Sequence, residues 1–308
     1  MILSELKNNI QGILLKNESM SKHTSYGIGG KVTAYITPHD IKDLIKIIKI
    51  INKNNLKFYF VGSGSNLLIN DKKINAIIIT PAKALKSLKI EKNAIIAESG
   101  VMLGRLVKEA IRHNLTGLES LVGVPGTLGG ALMMNAGAWG AEISNYLVSV
   151  NVINSKGEII TLYPEDMEFK YRYSSFKSNE FILSAEFELN KATKAEINKK
   201  KVIASKGRIS SQPLKFRSAG SVFKNPNNKL AAGLLIDQAG LKGTRLGGAE
   251  ISTHHANFFI NHGNAKAIDI TSLIRLSRKT VYEKFGIMLE LEIKTIGFEL
   301  SDLYPYAK

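Results

Sequence analysis

Three stretches of this sequence carry side chains that could do chemistry on an acidic substrate. In FKYRYSSF (169–176), Arg172 is flanked by Tyr171 and Tyr173. A planar guanidinium beside aromatic rings suits bidentate recognition of a carboxylate or phosphate, although a surface arginine stacked on its neighbours has the same signature. In RSAGSVFKNP (217–226), Ser221 follows Ala219-Gly220 on an expected turn, with Lys224 and Asn225 just beyond. The run is not the Gly-x-Ser-x-Gly elbow of a serine nucleophile, so hydrolase chemistry is not indicated. A serine polarised by a neighbour such as Lys224 can instead give a proton to a carbanion; the alternative is an ordinary turn serine. In FGIMLELEIKTIG (285–297), Glu290 and Glu292 would share one face of a strand, either as a solvated edge or as acidic groups of a site. His254 and His255 have no third ligand at metal-binding spacing, and no metal is expected.

Two further stretches offer backbone rather than side chains. GLESLVGVPGTLGGALMMNAGAWG (117–140) places Gly123, Gly126, Gly129, Gly130, Gly137 and Gly140 close together. Glycine loses the most backbone freedom on folding, so such clustering needs a local reason. Either the backbone must approach a bulky anion with no Cβ in the way, or the stretch is a set of tight turns. No Gly-Lys-Ser/Thr follows and the spacing is not Gly-x-Gly-x-x-Gly, so neither a Walker loop nor a Rossmann fingerprint is present. The second stretch, GSGSNLLI (62–69), directly follows the apolar run KFYFV and has Gly62 and Gly64 beside Ser63, Ser65 and Asn66. A polar glycine loop at the carboxyl end of a strand is a favoured ligand site, and the same residues also dominate plain turns.

These residues must be positioned by a chain long enough for more than one compact unit. It has 308 residues, 44% of them hydrophobic, only seven prolines and no cysteine, which excludes disulfides, thiolate metal sites and cysteine nucleophiles. The net charge of +16 is spread over lysines throughout the chain, without a basic stripe interleaved with aromatics, so a nucleic-acid partner is not expected. No apolar run is long enough to span a bilayer and the N-terminus does not read as a signal peptide, so a cytoplasmic protein with no membrane partner is expected.

The periodicity predicts an amphipathic helix over 41–55, strands at 57–61, 74–80 and 93–99, and a helix over about 102–113. A hairpin follows over 146–164, then a strand at 181–189 and a lysine-rich helix over about 192–207. A boundary is expected near 205–212. Beyond it come a short helix capped by Gly240, a strand at 256–261, a long helix from about Ala265 to Phe285 stopped by Gly286, and a strand at 289–298.

Seven motifs, TSYGIGG, VGSGSNLL, GVPGTLGGALMMNAGAWG, YRYSSF, AGSVFKNP, LIDQAGLKG and LELEIKTIG, occur in an order that closely resembles one family, UDP-N-acetylenolpyruvoylglucosamine reductase. The family finishes UDP-N-acetylmuramate for bacterial peptidoglycan. The resemblance runs from about Thr24 to Gly297 and implies an α+β chain. Its first part would be a two-subdomain FAD-binding fold of the vanillyl-alcohol-oxidase type (1–80 and 81–205), followed by an α/β substrate-binding domain (206–300) and a tail (301–308).

The resemblance implies FAD as cofactor, NADPH as hydride donor and UDP-N-acetylglucosamine enolpyruvate as substrate, in a protein acting as a monomer. FAD contacts would come from Gly62, Ser63, Gly64, Ser65, Asn66 and Leu67, and from Gly123, Pro125, Gly126, Thr127, Gly129 and Gly130, with Asn135, Ala136 and Gly137 nearby. Hydride would pass to the substrate's C3 and a proton from Ser221 to C2. Arg172 and Glu292 would stabilise the carboxylate as it becomes an enolate, a role open to Glu292 only if it is protonated or shares a proton, which requires an upward-shifted pKa. Tyr171, Lys224, Asn225 and His255 fall at substrate-contacting positions. The chain departs from many relatives in having Arg217 before Ser218 and Ser211 before Gln212-Pro213, where Lys215 could compensate. The short gap from Arg172 to Ser221 resembles the type II class, which lacks an extra tyrosine-bearing loop. The competing readings are another flavin oxidoreductase acting on a small alcohol or sugar, and a basic nucleic-acid-binding protein.

Overall fold

The computed structural model describes residues 2–81, 84–227 and 230–306, which divide into two compact units. The first comprises residues 1–17, 33–63 and 75–208, and the second 18–32, 64–74 and 209–308.

The first unit is built on two sheets. Four strands lie in the order Ile13–Lys16, Val32–Thr37, Ile74–Ile79, Phe58–Phe60, the first pair antiparallel and the last pair parallel. The helix Ile41–Lys53 covers this sheet because its apolar residues recur at helical spacing. Leu44, Ile47, Ile48 and Ile51 are buried with Ala34, Ile36, Ile77 and Ile79. Asp40 caps its start by accepting from the Asp43 N–H at 2.8 Å. The second sheet is antiparallel throughout, in the order Ile159–Leu162, Leu147–Ile153, Phe181–Glu188, Ala94–Glu98, Leu88–Glu91. Its inner residues pack on the helix Leu103–Arg112 and the short helix Leu128–Met133. Ile153, Phe181 and Leu183 of this sheet join the core of the first one.

The second unit surrounds the helix Ala267–Phe285, which ends where Gly286 turns left-handed at φ 69°. A three-stranded antiparallel sheet (Arg245–Leu246, Ala249–Ile251, Phe259–Asn261) and the helix Ala232–Gln238 pack on it. Two early stretches enter this core. Tyr26 and Ile28 of TSYGIGG are buried in it, as is Leu68 of the strand Leu67–Ile69, which pairs in parallel with Lys294–Ile296. The side chain of Arg217 lies across Gly27, where a Cβ would collide with its guanidinium.

Arg278 is the largest fully buried side chain of this unit. Its Nε donates to Leu289 O (2.8 Å), its Nη1 donates to Leu303 O (2.6 Å), and its guanidinium stacks 3.6 Å from the Tyr304 ring centroid. The long helix thereby fixes the start of the segment that leads to Glu292 and ties down the C-terminal turn Leu300–Leu303. That segment differs from its expected form. Only Lys294–Ile296 is a strand, and Leu291 makes a single antiparallel bridge to Phe223. The alternation of LELEI is genuine, but a strand also needs continuous pairing, and this segment is paired only at Leu291 and over Lys294–Ile296.

Candidate functional site

The first unit holds Gly62, Ser63, Gly123, Pro125, Gly126, Thr127, Gly129, Gly130, Asn135, Ala136, Gly137, Tyr171 and Arg172. The second holds Gly64, Ser65, Asn66, Leu67, Ser221, Lys224, Asn225, His255 and Glu292.

In the first unit a cavity of about 100 Å³ opens where Val61 and Gly62 leave the first sheet and meet the turn Thr127–Gly130; Ser99 and Phe181 also line it. Gly62 allows this approach, since a Cβ there would collide with Thr127 Oγ1, and a Cβ on Gly129 would come within 3.0 Å of Ser99 Cβ. Thr127 is the N-cap of Leu128–Met133, and its Oγ1 accepts from Gly130 N. The glycine cluster thus serves close approach more than amide donation. The amide of Leu128 is already bonded to Val101 O (2.8 Å) and that of Gly129 to Ser99 O (2.9 Å). By contrast, Ser99 Oγ in the cavity wall and Ser63 Oγ at the loop's start outside it are buried with no partner among the described residues. A buried hydroxyl with no partner costs stability unless a ligand or water completes it. A cavity between closely packed glycine backbone and a buried, unmet hydroxyl offers a hydrogen-bonding ligand both space and a partner, and these residues fit FAD.

The Arg172 hairpin lies in the same unit. Phe169–Lys170 pairs with Tyr173–Ser174, leaving Tyr171 and Arg172 as a two-residue tip with Arg172 at φ +53°. A bulky residue held left-handed stores on the order of 1 kcal/mol of strain and marks a place the surroundings over-determine. Arg172 Nη2 donates to Gly137 O (2.9 Å), its guanidinium stacks 4.9 Å from the Tyr171 ring centroid, and Ser174 Oγ donates to Met133 O (2.8 Å). Asn135 Nδ2 adds bonds to Glu142 Oε2 (2.6 Å) and Lys170 O (3.1 Å). The tip is therefore pinned to the end of the glycine-rich stretch.

In the second unit the backbone gathers the remaining side chains. Ser221 follows Gly220 (φ +77°) and bridges to Phe258. Glu292 N donates to Val222 O at 2.8 Å, so Ser221 and Glu292 sit on neighbouring extended segments. Asn66 brackets the same place: its Nδ2 donates to Glu292 O (3.2 Å), and its O accepts from Lys294 N (2.9 Å). Lys224 Nζ lies 3.6 Å from Glu290 Oε2. Asn225 Oδ1 accepts from Ala232 N (3.1 Å) at the start of a helix whose Gly233 faces His255 Cε1. Burial above all, then the charges of His254 and Lys242, push the His255 imidazole below its ordinary pKa and keep it neutral near pH 7. Its Nδ1 accepts from Asn257 N (3.2 Å), which leaves Nε2 as the N–H donor.

Three contributors escape a reading of residue types. Asn257 is a neutral residue inside an apolar run, and Ser99 a neutral residue at the end of one. Arg208 is hidden among the lysines of the helix Lys194–Ser211, yet its Cδ packs over Gly123, and burial lowers its pKa from the usual arginine range.

Known proteins resemble this chain in sequence and fold. Residues 212–296 match the family model described as UDP-N-acetylenolpyruvoylglucosamine reductase, C-terminal domain, and residues 32–163 match an FAD binding domain. The UDP-N-acetylenolpyruvoylglucosamine reductase of Caldicellulosiruptor bescii is 45% identical over 305 residues, covering 97% of this chain and 96% of its own. The chain belongs to the UDP-N-acetylenolpyruvoylglucosamine reductase family. The crystal structure of the family's enzyme from Thermus caldophilus superposes with a TM-score of 0.78 at 31% identity, covering 93% of this chain and 99% of that one. A Phl p 4 variant described as a glucose oxidase shares only the fold, at TM-score 0.50 and 12% identity over 69% of this chain and 50% of its own. The family's α+β architecture, an FAD-binding fold with a distinct C-terminal domain, is thus that of this chain, which is an FAD-dependent oxidoreductase. Among the described residues no helix is long and apolar enough to cross a membrane.

Proposed function

We propose that this protein reduces the enolpyruvyl group of UDP-N-acetylglucosamine enolpyruvate to give UDP-N-acetylmuramate, with NADPH as reductant, in peptidoglycan synthesis. The observation that carries the reading is the backbone pairing of Val222 with Glu292, which lays the segment of Ser221 alongside that of Glu292, in a chain whose family is named for this reaction. Gly62, Ser63, Thr127, Gly129 and Gly130 would help hold FAD, which would supply hydride chemistry, carrying hydride from NADPH to C3 of the enolpyruvyl group. Ser221 then protonates C2. Its hydroxyl is far too weak an acid unaided, so Lys224, three residues on, or a water relay assists it. Arg172 holds the substrate carboxylate, and a protonated Glu292 donates to it, so that both favour the enolate over the ground state. Tyr171, Lys224, Asn225 and His255 bind the nucleotide substrate, His255 as a neutral Nε2–H donor. The reading includes action in the cytoplasm as a monomer, with small molecules as its only partners.

Purified protein is expected to be yellow, bleached by NADPH without oxygen, and recoloured by the enolpyruvyl nucleotide. Colourless protein that cannot be reconstituted with FAD sinks the flavoenzyme reading; flavin that NADPH bleaches and the nucleotide fails to recolour sinks the substrate. Glu292→Gln tests the protonated carboxyl. The amide keeps a donor but cannot ionise, so the limb of the pH–rate profile on which activity falls as Glu292 loses its proton should disappear. A variant profile that matches wild type rules out that role.

A further inference from the structure

We propose that Asn257 is a positioning residue for the proton donor, acting as a one-residue surrogate strand that sets the backbone between Ser221 and Lys224. The inference rests on the function proposed above. Asn257 is 3% exposed and uses all four of its polar groups. Its side chain clamps the Phe223 peptide from both ends, with Oδ1 accepting from Phe223 N (2.9 Å) and Nδ2 donating to Phe223 O (2.8 Å). Its backbone O accepts from Val222 N (2.8 Å), and its backbone N donates to His255 Nδ1 (3.2 Å).

One buried residue thereby connects three candidate site groups. Ser221 precedes the clamped dipeptide, Lys224 follows it, and the His255 ring takes its tautomer from the Asn257 amide. The opposite side of Val222-Phe223 is held by Glu292 N and by the bridge to Leu291, so the Ser221 segment is fixed between Asn257 and the acidic segment. A bidentate side-chain amide is a stiff link, and a shift of about 1 Å in a proton donor costs on the order of 10²-fold in rate. The residues it serves are buried (Val222 and Phe223) or half-buried (Ser221, Lys224 and His255), and they pair only through the isolated bridges Ser221–Phe258 and Phe223–Leu291, so no continuous ladder substitutes for the clamp.

The test uses Asn257→Asp and Asn257→Ala in FAD-loaded protein, following the two half-reactions separately. Flavin reduction by NADPH is expected at the wild-type rate in both variants, while reoxidation by the enolpyruvyl nucleotide falls on the order of 10²-fold. Asn257→Asp keeps the acceptor for Phe223 N but sets a carboxylate oxygen against Phe223 O. Its reoxidation rate, taken as a ratio to wild type, should rise toward acid pH as protonation restores a donor. Asn257→Ala should show no such recovery. Amide hydrogen exchange supplies a readout independent of turnover: protection of Phe223 N is expected to survive in Asn257→Asp and to be lost in Asn257→Ala, with the helix Ala267–Phe285 unchanged. Equal loss in both half-reactions, wild-type reoxidation in the variants, or absence of the acid recovery overturns the proposal. If Asn257→Ala does not fold, the pH dependence of Asn257→Asp decides alone. If wild-type flavin is not reoxidised by the nucleotide, the assigned reaction fails, and the exchange pattern still decides whether the clamp exists.

Discussion

The Ser221→Ala protein should bleach with NADPH at the wild-type rate and then remain reduced in the presence of the enolpyruvyl nucleotide. The asymmetry follows from what the hydroxyl is proposed to do. Hydride delivery to C3 leaves negative charge at C2 and on the adjoining carboxylate, and the step goes to completion only when C2 receives a proton. A positioned general acid contributes about 10²–10⁴-fold, and reoxidation should slow by that amount while reduction, which needs no proton at C2, is untouched. Structure gives reason to expect an intact fold. Ser221 is only half-buried, its turn is set by Gly220, and its strand contacts to Phe258 are made by the backbone, so alanine removes the hydroxyl and little else. Ser221→Cys, whose thiol is a far better acid, should recover part of the lost rate. Equal slowing of both half-reactions would show that Ser221 only shapes the turn.

Why some of this site can be read from sequence and some cannot comes down to which atoms carry the information. Read alone, Arg172, Ser221 and Glu292 are equally a stacked surface arginine, a turn serine and a solvated carboxylate, and they stand out only through the run of motifs in which they lie. The helix Ile41–Lys53 is legible because burial imposes a 3.6-residue period on its isoleucines, and Gly286 because only a left-handed stop needs glycine there. The illegible part is set by tertiary hydrogen bonding. Nothing in HANFFIN singles out Asn257, whose role exists only because Phe223 lies opposite. The amides of Leu128 and Gly129 look free in a glycine-rich helix start until Val101 and Ser99 are seen to accept from them. The strand expected over 289–298 follows the alternation faithfully, but pairing, which decides strand from coil, is held by other segments. Likewise, that TSYGIGG packs with the late helix Ala267–Phe285 depends on contacts across more than 200 positions, which no local pattern encodes.

Gly62→Ala should yield protein that folds but holds FAD weakly. The added methyl group would run into Thr127 Oγ1, the cap of Leu128–Met133. Without cofactor the collision can be relieved by turning the Thr127 side chain into the adjoining cavity, at the cost of the cap, typically about 1 kcal/mol. With cofactor that space is taken, and overpacking of this kind costs about 1–3 kcal/mol, or roughly 5- to 150-fold in affinity. The variant should therefore lose its colour on dilution or gel filtration while the melting temperature of its apoprotein falls only slightly. Thr127→Ala alone should cost cap stability and retain flavin. The double variant decides the mechanism, because removing Oγ1 takes away the atom that the new methyl group meets. Flavin affinity in Gly62→Ala, Thr127→Ala should recover above that of Gly62→Ala, the reverse of additive loss. Purely additive weakening would mean that Gly62 is needed for its backbone conformation, and wild-type affinity in Gly62→Ala would remove the cavity beside Ser99 from the FAD site altogether.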